Sequence, residues 1–118
     1  MNIEAIREFC LKKPEVTEGF PFGEETLVFK VAGKIFLLAS LDEIPLRINL
    51  KCDPEKAVEL REEYDSVLPG YHMNKTHWNT VIVDGSFSKR ELLDWIDNSY
   101  LLVLNGLKKR IKKKLKVF

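Results

Sequence analysis

The strongest constraint on the fold is a series of three short segments in which apolar and polar residues alternate. Residues 26–31 and 34–40 have the pattern of two β-strands joined by the two-residue turn Ala32-Gly33, which is a β-hairpin signal. Residues 46–51 alternate again after a short connection. Strands joined by short connections pair antiparallel, so this pattern predicts a three-strand meander.

Three capping signals mark the starts of helices. Asn2 is a candidate N-cap for a short first helix. Asp53-Pro54 combines an N-cap residue with proline at the first helical position, and predicts a helix over about 55–64. Ser88, with Glu91 three residues later, forms a capping box in front of a segment with helical apolar spacing. The sequence therefore predicts three helices.

The order of these elements favours an α+β fold. A later strand is predicted over 78–83, after a loop over 65–75, so the order is helix, three strands, helix, strand, helix. We expect two layers, with helices on one face of an antiparallel sheet and the other face open. The alternation places four polar side chains on that open face, those of Lys30, Arg47, Asn49 and Lys51.

Charge is divided unevenly along the chain. Residues 107–118 contain seven basic residues and no acid, whereas the preceding residues contain 12 basic and 18 acidic ones. A basic end on an acidic body suggests a polyanion partner, either nucleic acid or an anionic membrane surface. The alternative is that the lysines only favour a helix C-terminus through its dipole. We expect one α+β domain over 1–106 and a basic helical tail over 107–118, with Gly106 ending or bending the third helix.

Composition excludes several classes of protein. Of the 118 residues, 45% are hydrophobic and 31% are charged, which is ordinary for a globular domain and argues against disorder. No apolar run reaches transmembrane length, and the N-terminus has no secretory pattern. Cys10 and Cys52 are too few for a disulfide framework. We expect a cytoplasmic protein with reduced thiols.

The sequence contains no motif of known catalytic chemistry. It lacks a Gly-rich phosphate loop, a nucleophile elbow and a paired-carboxylate motif. Cys10 occupies an apolar position of the first helix, where a thiol acts as a small hydrophobe. His72 and His77 have no nearby acid or cysteine to complete a zinc site. We therefore expect no enzyme activity, no metal site and no cofactor.

One block of the sequence is unusual in composition and resembles a known family. Residues 69–80 read Pro-Gly-Tyr-His-Met-Asn-Lys-Thr-His-Trp-Asn-Thr. Together with Phe22-Gly23, residues 31–36, residues 50–54 and Ser99-Tyr100, this block resembles the MmcQ/YjbR family of small bacterial proteins over about residues 14–107. The resemblance implies a CyaY-like (frataxin-like) fold. It also implies DNA binding through a proposed double wing of β-hairpins. The basic tail is not part of that family pattern.

The candidate DNA contacts come from the open sheet face, to which Lys34 of the hairpin is added, from the loop over 71–79 and from the tail. Cations in each group would meet phosphates, while Tyr71, His77 and Trp78 would stack on bases. The full set of candidate contacts is Lys30, Lys34, Arg47, Asn49, Lys51, Lys75, His77, Trp78, Lys108, Lys109, Arg110 and Lys112.

Each group also has a structural alternative. Charged residues solvate the open side of any two-layer fold. Trp78 begins an apolar strand and would serve equally well as a core anchor. Asn74 and Asn79 would satisfy backbone groups of the loop.

Two further hypotheses belong to other classes of function. In the first, the chain is a protein- or small-ligand-binding adaptor, in which the Phe20-Pro21-Phe22 loop and the loop over 71–78 enclose a pocket at Phe22, Tyr71 and Trp78. In the second, residues 101–107 form a homodimer surface, because this helical segment is apolar nearly all round.

Overall fold

The computed structural model describes residues 1–71 and 73–116, and for residues 109–116 it describes the helical backbone only. The elements in chain order are α1 (Ile3–Leu11), β1 (Val16–Gly19), β2 (Thr26–Val31), β3 (Lys34–Ser40), β4 (Arg47–Lys51), α2 (Pro54–Glu63), β5 (Val67–Pro69), β6 (Trp78–Ile82) and α3 (Lys89–Lys116). The predicted α+β class is confirmed.

The sheet has six strands in the order β1-β2-β3-β4-β6-β5, and every neighbouring pair is antiparallel. The predicted meander forms its centre, and the later strand β6 lies beside β4. The prediction of four strands was wrong, because β1 and β5 were missed. Both are edge strands of four and three residues, too short to show an alternating pattern. Pro69 ends β5, consistent with an edge position.

The helices share one hydrophobic core with one face of the sheet. The buried residues of α1 and α3 belong to the same cluster as the inward residues of all four central strands, and Leu60 brings in α2. The main inward residues of the sheet are Leu27, Phe29, Val31, Phe36, Leu37, Ile48, Leu50 and Val81. This leaves the other face of the sheet outside the cluster, as the alternation predicted.

Two of the three predicted capping signals are formed as expected. Asn2 Oδ1 accepts a hydrogen bond from the N–H of Ala5 at 2.9 Å. Ser88 Oγ accepts from the N–H of Glu91 at 3.1 Å, and Glu91 Oε1 accepts from the Ser88 N–H at 3.4 Å. These bonds satisfy N–H groups that a helix start otherwise leaves without partners.

The second helix differs from its prediction in two ways. Asp53 is its N-cap, but the Asp53 side chain forms no capping hydrogen bond. The sequence predicts an apolar edge spanned by Ala57, Val58, Leu60 and Arg61, but only Ala57 and Leu60 are buried, and Val58 is 45% exposed. A helix that covers only the end of a sheet needs a narrow apolar stripe.

The third helix continues through Gly106 to Lys116. Of the two predicted outcomes, that Gly106 ends this helix or bends it, the first is therefore wrong. Among the described residues, no helix has the length and apolar character needed to cross a bilayer.

The hairpin between β2 and β3 contains a β-bulge. The register shifts between Phe29 and Lys30, so that Phe29 faces Leu37 whereas Lys30 faces Ile35. Phe36 is the extra residue, and both Phe36 and Leu37 are fully buried. The bulge keeps Ile35 and Lys30 opposite each other on the open face.

Candidate nucleic-acid interface

The strand register brings three basic residues to the open face. In β4, Arg47, Asn49 and Lys51 alternate with the buried Ile48 and Leu50. Asn49 faces Leu38 of β3, and Leu38 faces Val28 of β2. Lys30, two residues after Val28, therefore lies on the same face as the three polar residues of β4. The prediction that one face of the sheet carries Lys30, Arg47, Asn49 and Lys51 is thus confirmed.

No acidic residue occupies a strand position on this face in the part of the chain that the structure describes. The register places the following side chains there: Thr17, Thr26, Val28, Lys30, Ile35, Leu38, Ser40, Arg47, Asn49, Lys51, Leu68, Trp78, Thr80 and Ile82. The described strand positions of the open face therefore carry three positive charges and no negative one.

The basic residues of the open face are also unpaired. Within the described residues, Lys30, Arg47 and Lys51 form no ion pair within 4.0 Å. In contrast, four cations of the helix side, Arg7, Lys12, Lys13 and Lys56, pair with acids. Arg7 pairs with Glu18, and hydrogen bonding to Glu18 raises the pKa of Arg7 above its usual value. The open-face cations are thus available to an external anion.

The centre of the open face is apolar and closely packed. Val28 and Leu38 are only 1% and 7% exposed, although neither belongs to the core cluster under the helices. Phe20 and Pro21 border a hollow of about 250 Å³ beside Val28 and Lys30. The cations therefore surround an apolar centre instead of forming a continuous basic patch.

Asn49 is tied to its neighbouring strand. Its Oδ1 accepts a hydrogen bond from Thr80 Oγ1 at 2.6 Å, across the β4–β6 pair. This contact stabilises the sheet and occupies the acceptor end of the Asn49 amide.

Lys34 does not join the open face. It faces Val31, which is fully buried on the helix side, across the end of the hairpin. Lys34 also lines a cleft with Leu102 and Leu107 of α3. The prediction that Lys34 belongs with the open-face cations was wrong, because the bulge at Phe36 shifts the alternation of β3 by one residue.

The loop between β5 and β6 combines a structural part with an exposed part. Asn74 Oδ1 accepts from the Thr76 N–H at 2.9 Å, and the Asn74 carbonyl accepts from the Trp78 N–H at 2.9 Å. The structural alternative for Asn74 is therefore confirmed. Tyr71 is 64% exposed, and the ammonium group of Lys75 lies 5.2 Å from its ring centroid. These two side chains are free to meet a ligand.

The other two aromatic candidates lie closer to the sheet. Trp78 is half-buried on the open face, where it faces Lys51. It is thus not part of the core under the helices. His77 is half-buried, and its carbonyl accepts from the Cys52 N–H at 2.7 Å. The backbone of His77 therefore connects this loop to the end of β4.

The predicted pocket at Phe22, Tyr71 and Trp78 is not formed by the described residues. The Phe20-Pro21-Phe22 loop follows β1, whereas Tyr71 follows β5, and these strands are the opposite edges of the sheet. Four strand spacings separate β1 from β6, which corresponds to about 19 Å. The adaptor hypothesis fails in this form because both missed strands lie at the edges and hold the loops apart.

The basic tail is an extension of α3. Lys108 is exposed on this helix. The side chains of Lys109, Arg110 and Lys112 lie outside the described residues, as does His72. Because the helical backbone continues to Lys116, the sequence places seven basic residues along the end of one helix.

Neither thiol is placed for nucleophilic chemistry. Burial raises the pKa of Cys10 to about 12, and burial is also the main cause that raises the pKa of Cys52. Both thiols are therefore held in the protonated form, which is a poor nucleophile. Among the described residues, no three histidine, cysteine or acidic side chains converge on a common point.

The sequence reasoning missed the position of Asn79. It is 2% exposed and points to the helix side, where its Nδ2 donates to the carbonyl of Ala57 at 3.2 Å. The alternative that Asn79 satisfies a backbone group is confirmed, but in α2 instead of in the loop. The signal was present in the alternation of β6, because Asn79 and Val81 share one face.

Comparisons of sequence support a relation to known proteins over most of the chain. Residues 11–102 match the model of the YjbR family. The uncharacterized protein YbdF of Escherichia coli O157:H7 is 44% identical over 114 residues, which cover 96% of this chain and 93% of that protein. The uncharacterized protein YjbR of Escherichia coli K12 is 30% identical over 115 residues, which cover 98% of each.

Two solved structures have the same architecture. Protein DR2400 of Deinococcus radiodurans aligns with a TM-score of 0.83 and 42% identity, over 86% of this chain and 78% of that one. A protein from Pseudomonas syringae aligns with a TM-score of 0.75 and 26% identity, over 87% of this chain and 99% of that one. The fold described above is therefore shared with these proteins.

Proposed function

The chain belongs to the YjbR family, as its sequence predicted, and from this premise we propose that it is a non-enzymatic protein that binds DNA through its phosphates. The contacts come from the open sheet face, from the loop between β5 and β6, and from the basic end of α3. They are electrostatic and read little of the base sequence.

The observation that carries this proposal is the difference between the two sides of the sheet. Four cations on the helix side, Arg7 and Lys13 among them, have acidic partners. Lys30, Arg47 and Lys51 have none among the described residues. A protein that only needs a solvated sheet face gains from mixing both signs of charge, whereas a phosphate-binding face gains from excluding acids.

The spacing of these cations suits an extended polyanion. Arg47 and Lys51 are four residues apart on one strand, which corresponds to about 13 Å. Lys30 lies two strands from β4, at about 10 Å. Duplex DNA carries one negative charge per about 1.7 Å of helix axis, so three cations at these separations meet phosphates without deforming the duplex.

The loop and the tail extend this face. Trp78 and Lys51 face each other across β6 and β4, and the loop that precedes Trp78 carries the exposed Tyr71 and Lys75. Tyr71 and Trp78 provide surfaces on which bases stack, and Lys75 adds a phosphate contact. The seven basic residues after Gly106 supply a second cationic segment.

The resemblance to the family also implies a CyaY-like fold and a double wing of β-hairpins, and both are part of this proposal. A sheet with helices on one face is the layout that a CyaY-like fold requires. In the double-wing arrangement, the β2–β3 hairpin, which carries Lys30, is one wing. The proposal does not depend on which of these fold labels applies, since the phosphate contacts follow from the open face alone.

Fluorescence anisotropy with a labelled short duplex, measured at two salt concentrations, tests this function. We expect binding at low salt and an affinity that falls steeply as salt increases, because each phosphate contact releases condensed counterions. Lys12→Gln is a matched control, since Lys12 lies on the helix side beside Glu8. No binding at low salt, or binding without a salt dependence, would contradict the proposal.

A homodimer through residues 101–107 is a second candidate assembly. One observation favours it, since Leu101 and Leu102 are 47% and 38% exposed on α3. Val103 is buried in the core of the same chain, so only one side of the segment is available to a partner. Light scattering distinguishes the two states, and the mass of a monomer would eliminate the dimer.

A further inference from the structure

A buried hydrogen-bond acceptor without a partner lies between the helices and the sheet. Asn79 is 2% exposed, and its Oδ1 accepts no hydrogen bond from the described residues. Its Nδ2 donates to the carbonyl of Ala57, which fixes the Oδ1 as the end that stays free. A buried acceptor without a donor is unfavourable, so this position favours an occupant that donates a hydrogen bond.

Asn79 lines a small cavity. The cavity has a volume of about 20 Å³, and much of its remaining wall is apolar, from Leu50, Leu60, Val81 and Trp95. A space of this size holds one water-sized group. The cavity therefore admits a single hydroxyl or amide N–H, and no larger polar group.

A wider cleft adjoins this cavity. Cys52, Lys56 and Asn98 line both spaces, and the wider one has a volume of about 240 Å³. It lies between the start of α2 and the middle of α3, where the exposed Leu101 and Leu102 form part of its wall. The three shared residues place the two spaces side by side, with Asn79 at the narrow end and the wider cleft as the mouth.

The mouth of this pocket favours an anion. Lys56, which also pairs with Glu59 at 3.7 Å on the helix surface, lines both spaces, and Asp53 is the acidic residue that lines the wider cleft. The Asp53 side chain does not cap α2, so the first N–H groups of this ten-residue helix have no capping partner there. A helix N-terminus carries a partial positive charge, which adds to that of Lys56.

We propose that this pocket binds a small anion that also carries a hydroxyl or amide donor a few atoms from its charged group. The donor enters the cavity and forms a hydrogen bond to Asn79 Oδ1. The anionic group stays at the mouth, beside Lys56 and the start of α2. The apolar walls bury the carbon atoms between the two ends. The pocket lies on the helix side of the sheet, although Lys51, a residue of the proposed DNA-binding face, also borders its narrow end.

Two simple anions test this site by NMR titration of the ¹⁵N-labelled full chain. Glycolate carries a hydroxyl and a carboxylate, whereas acetate lacks the hydroxyl. We expect glycolate to shift the side-chain amide of Asn79 and the backbone amides at the start of α2 in a saturable manner. Acetate should bind roughly tenfold more weakly, because it leaves the buried acceptor unpaired.

Variants at the mouth provide the second readout and leave the buried Asn79 intact. Lys56→Gln should weaken glycolate binding several-fold, whereas the control Lys12→Gln, at the C-cap of α1, should leave it unchanged. Equal affinities for glycolate and acetate would overturn the role of Asn79. Absence of a saturable shift with glycolate in large excess would overturn the site and leave the cavity to water. Either result leaves the DNA-binding proposal untouched, since that proposal is measured by salt-dependent anisotropy.

Discussion

The side chain of Ser99 in α3 forms a hydrogen bond to the backbone carbonyl of Phe36 in β3 and so links this helix to the sheet. Its Oγ donates to that carbonyl at 2.5 Å and accepts from the Lys51 N–H at 2.9 Å. Both backbone groups lie just beyond the end of the β3–β4 ladder, where the last paired residues are Leu37 and Leu50. One hydroxyl thus satisfies two backbone groups that lie outside this ladder.

Substitution of Ser99 tests this role. Ser99→Ala should lower the free energy of unfolding by about 1–3 kcal/mol, because it leaves a buried N–H and a buried carbonyl without a partner. Ser40→Ala is the control, since Ser40 is a half-exposed residue of the open face, and it should change stability by less than about 0.5 kcal/mol. Chemical denaturation measures both. Equal effects of the two substitutions would contradict this role of the Ser99 hydroxyl.

Gly70 lies closer to Trp78 than any side chain would allow. Its N–H donates to the Trp78 carbonyl at 2.9 Å, and a Cβ on Gly70 would lie 2.9 Å from that oxygen and 3.0 Å from the Trp78 Cβ. Gly70→Ala should therefore force β5 and β6 apart and destabilise the fold by about 1–3 kcal/mol. Thermal or chemical unfolding measures this change.

At Gly106, substitution by alanine should have the opposite effect on stability to the one expected at Gly70. It lies within α3, and a Cβ there would meet nothing within 4 Å. Gly106→Ala should stabilise the chain by about 0.5–1 kcal/mol, because glycine is unfavourable inside a helix. A destabilising effect of Gly106→Ala, or a neutral effect of Gly70→Ala, would contradict the described geometry.

Asp84, in the turn that follows β6, makes the stability of the fold depend on pH. Hydrogen bonds from Ser86 and Ser66 lower the pKa of Asp84 from 3.8 to about 2. A carboxyl whose pKa is lower in the folded state stabilises the fold fully above its unfolded pKa, and this stabilisation disappears as pH falls through the folded value. The difference in unfolding free energy between the wild type and Asp84→Asn should therefore shrink between about pH 4 and pH 2. A difference that stays constant over this range would contradict the hydrogen bonds assigned to Asp84.

The basic end of α3 should contribute to DNA affinity independently of the sheet. Replacement of Lys108, Lys109, Arg110 and Lys112 by glutamine in the full chain keeps the helix length and removes four charges. We expect weaker binding and a shallower dependence on salt, by about one slope unit for each phosphate that the variant no longer neutralises. Unchanged anisotropy titrations would show that the tail does not contact DNA.

The sequence predicts the central strands and the helix starts because their signals are local. Alternation over 26–31 and the capping box at Ser88 and Glu91 depend only on neighbours in sequence, and the structure contains both. The edge strands β1 and β5 escape such reasoning, because four and three residues give no measurable period. Their pairing is set by the strands beside them.

The candidate site was predictable wherever alternation continues without interruption. In β4, an unbroken period of two assigns Arg47 and Lys51 to the open face correctly. In β3, the bulge at Phe36 shifts the period, so Lys34 was assigned to the wrong face. The lack of acidic partners for the open-face cations depends on distances between elements, which no local pattern contains.

The salt dependence of DNA affinity for a variant of the open face tests the central claim most directly. Lys30→Gln, Arg47→Gln and Lys51→Gln are combined in one full-length chain and compared with the wild type and with Lys12→Gln. We predict that the slope of log affinity against log salt concentration falls in magnitude by about 3 in the triple variant and stays unchanged in the control. A triple variant with the slope and affinity of the wild type would contradict DNA binding by the open face.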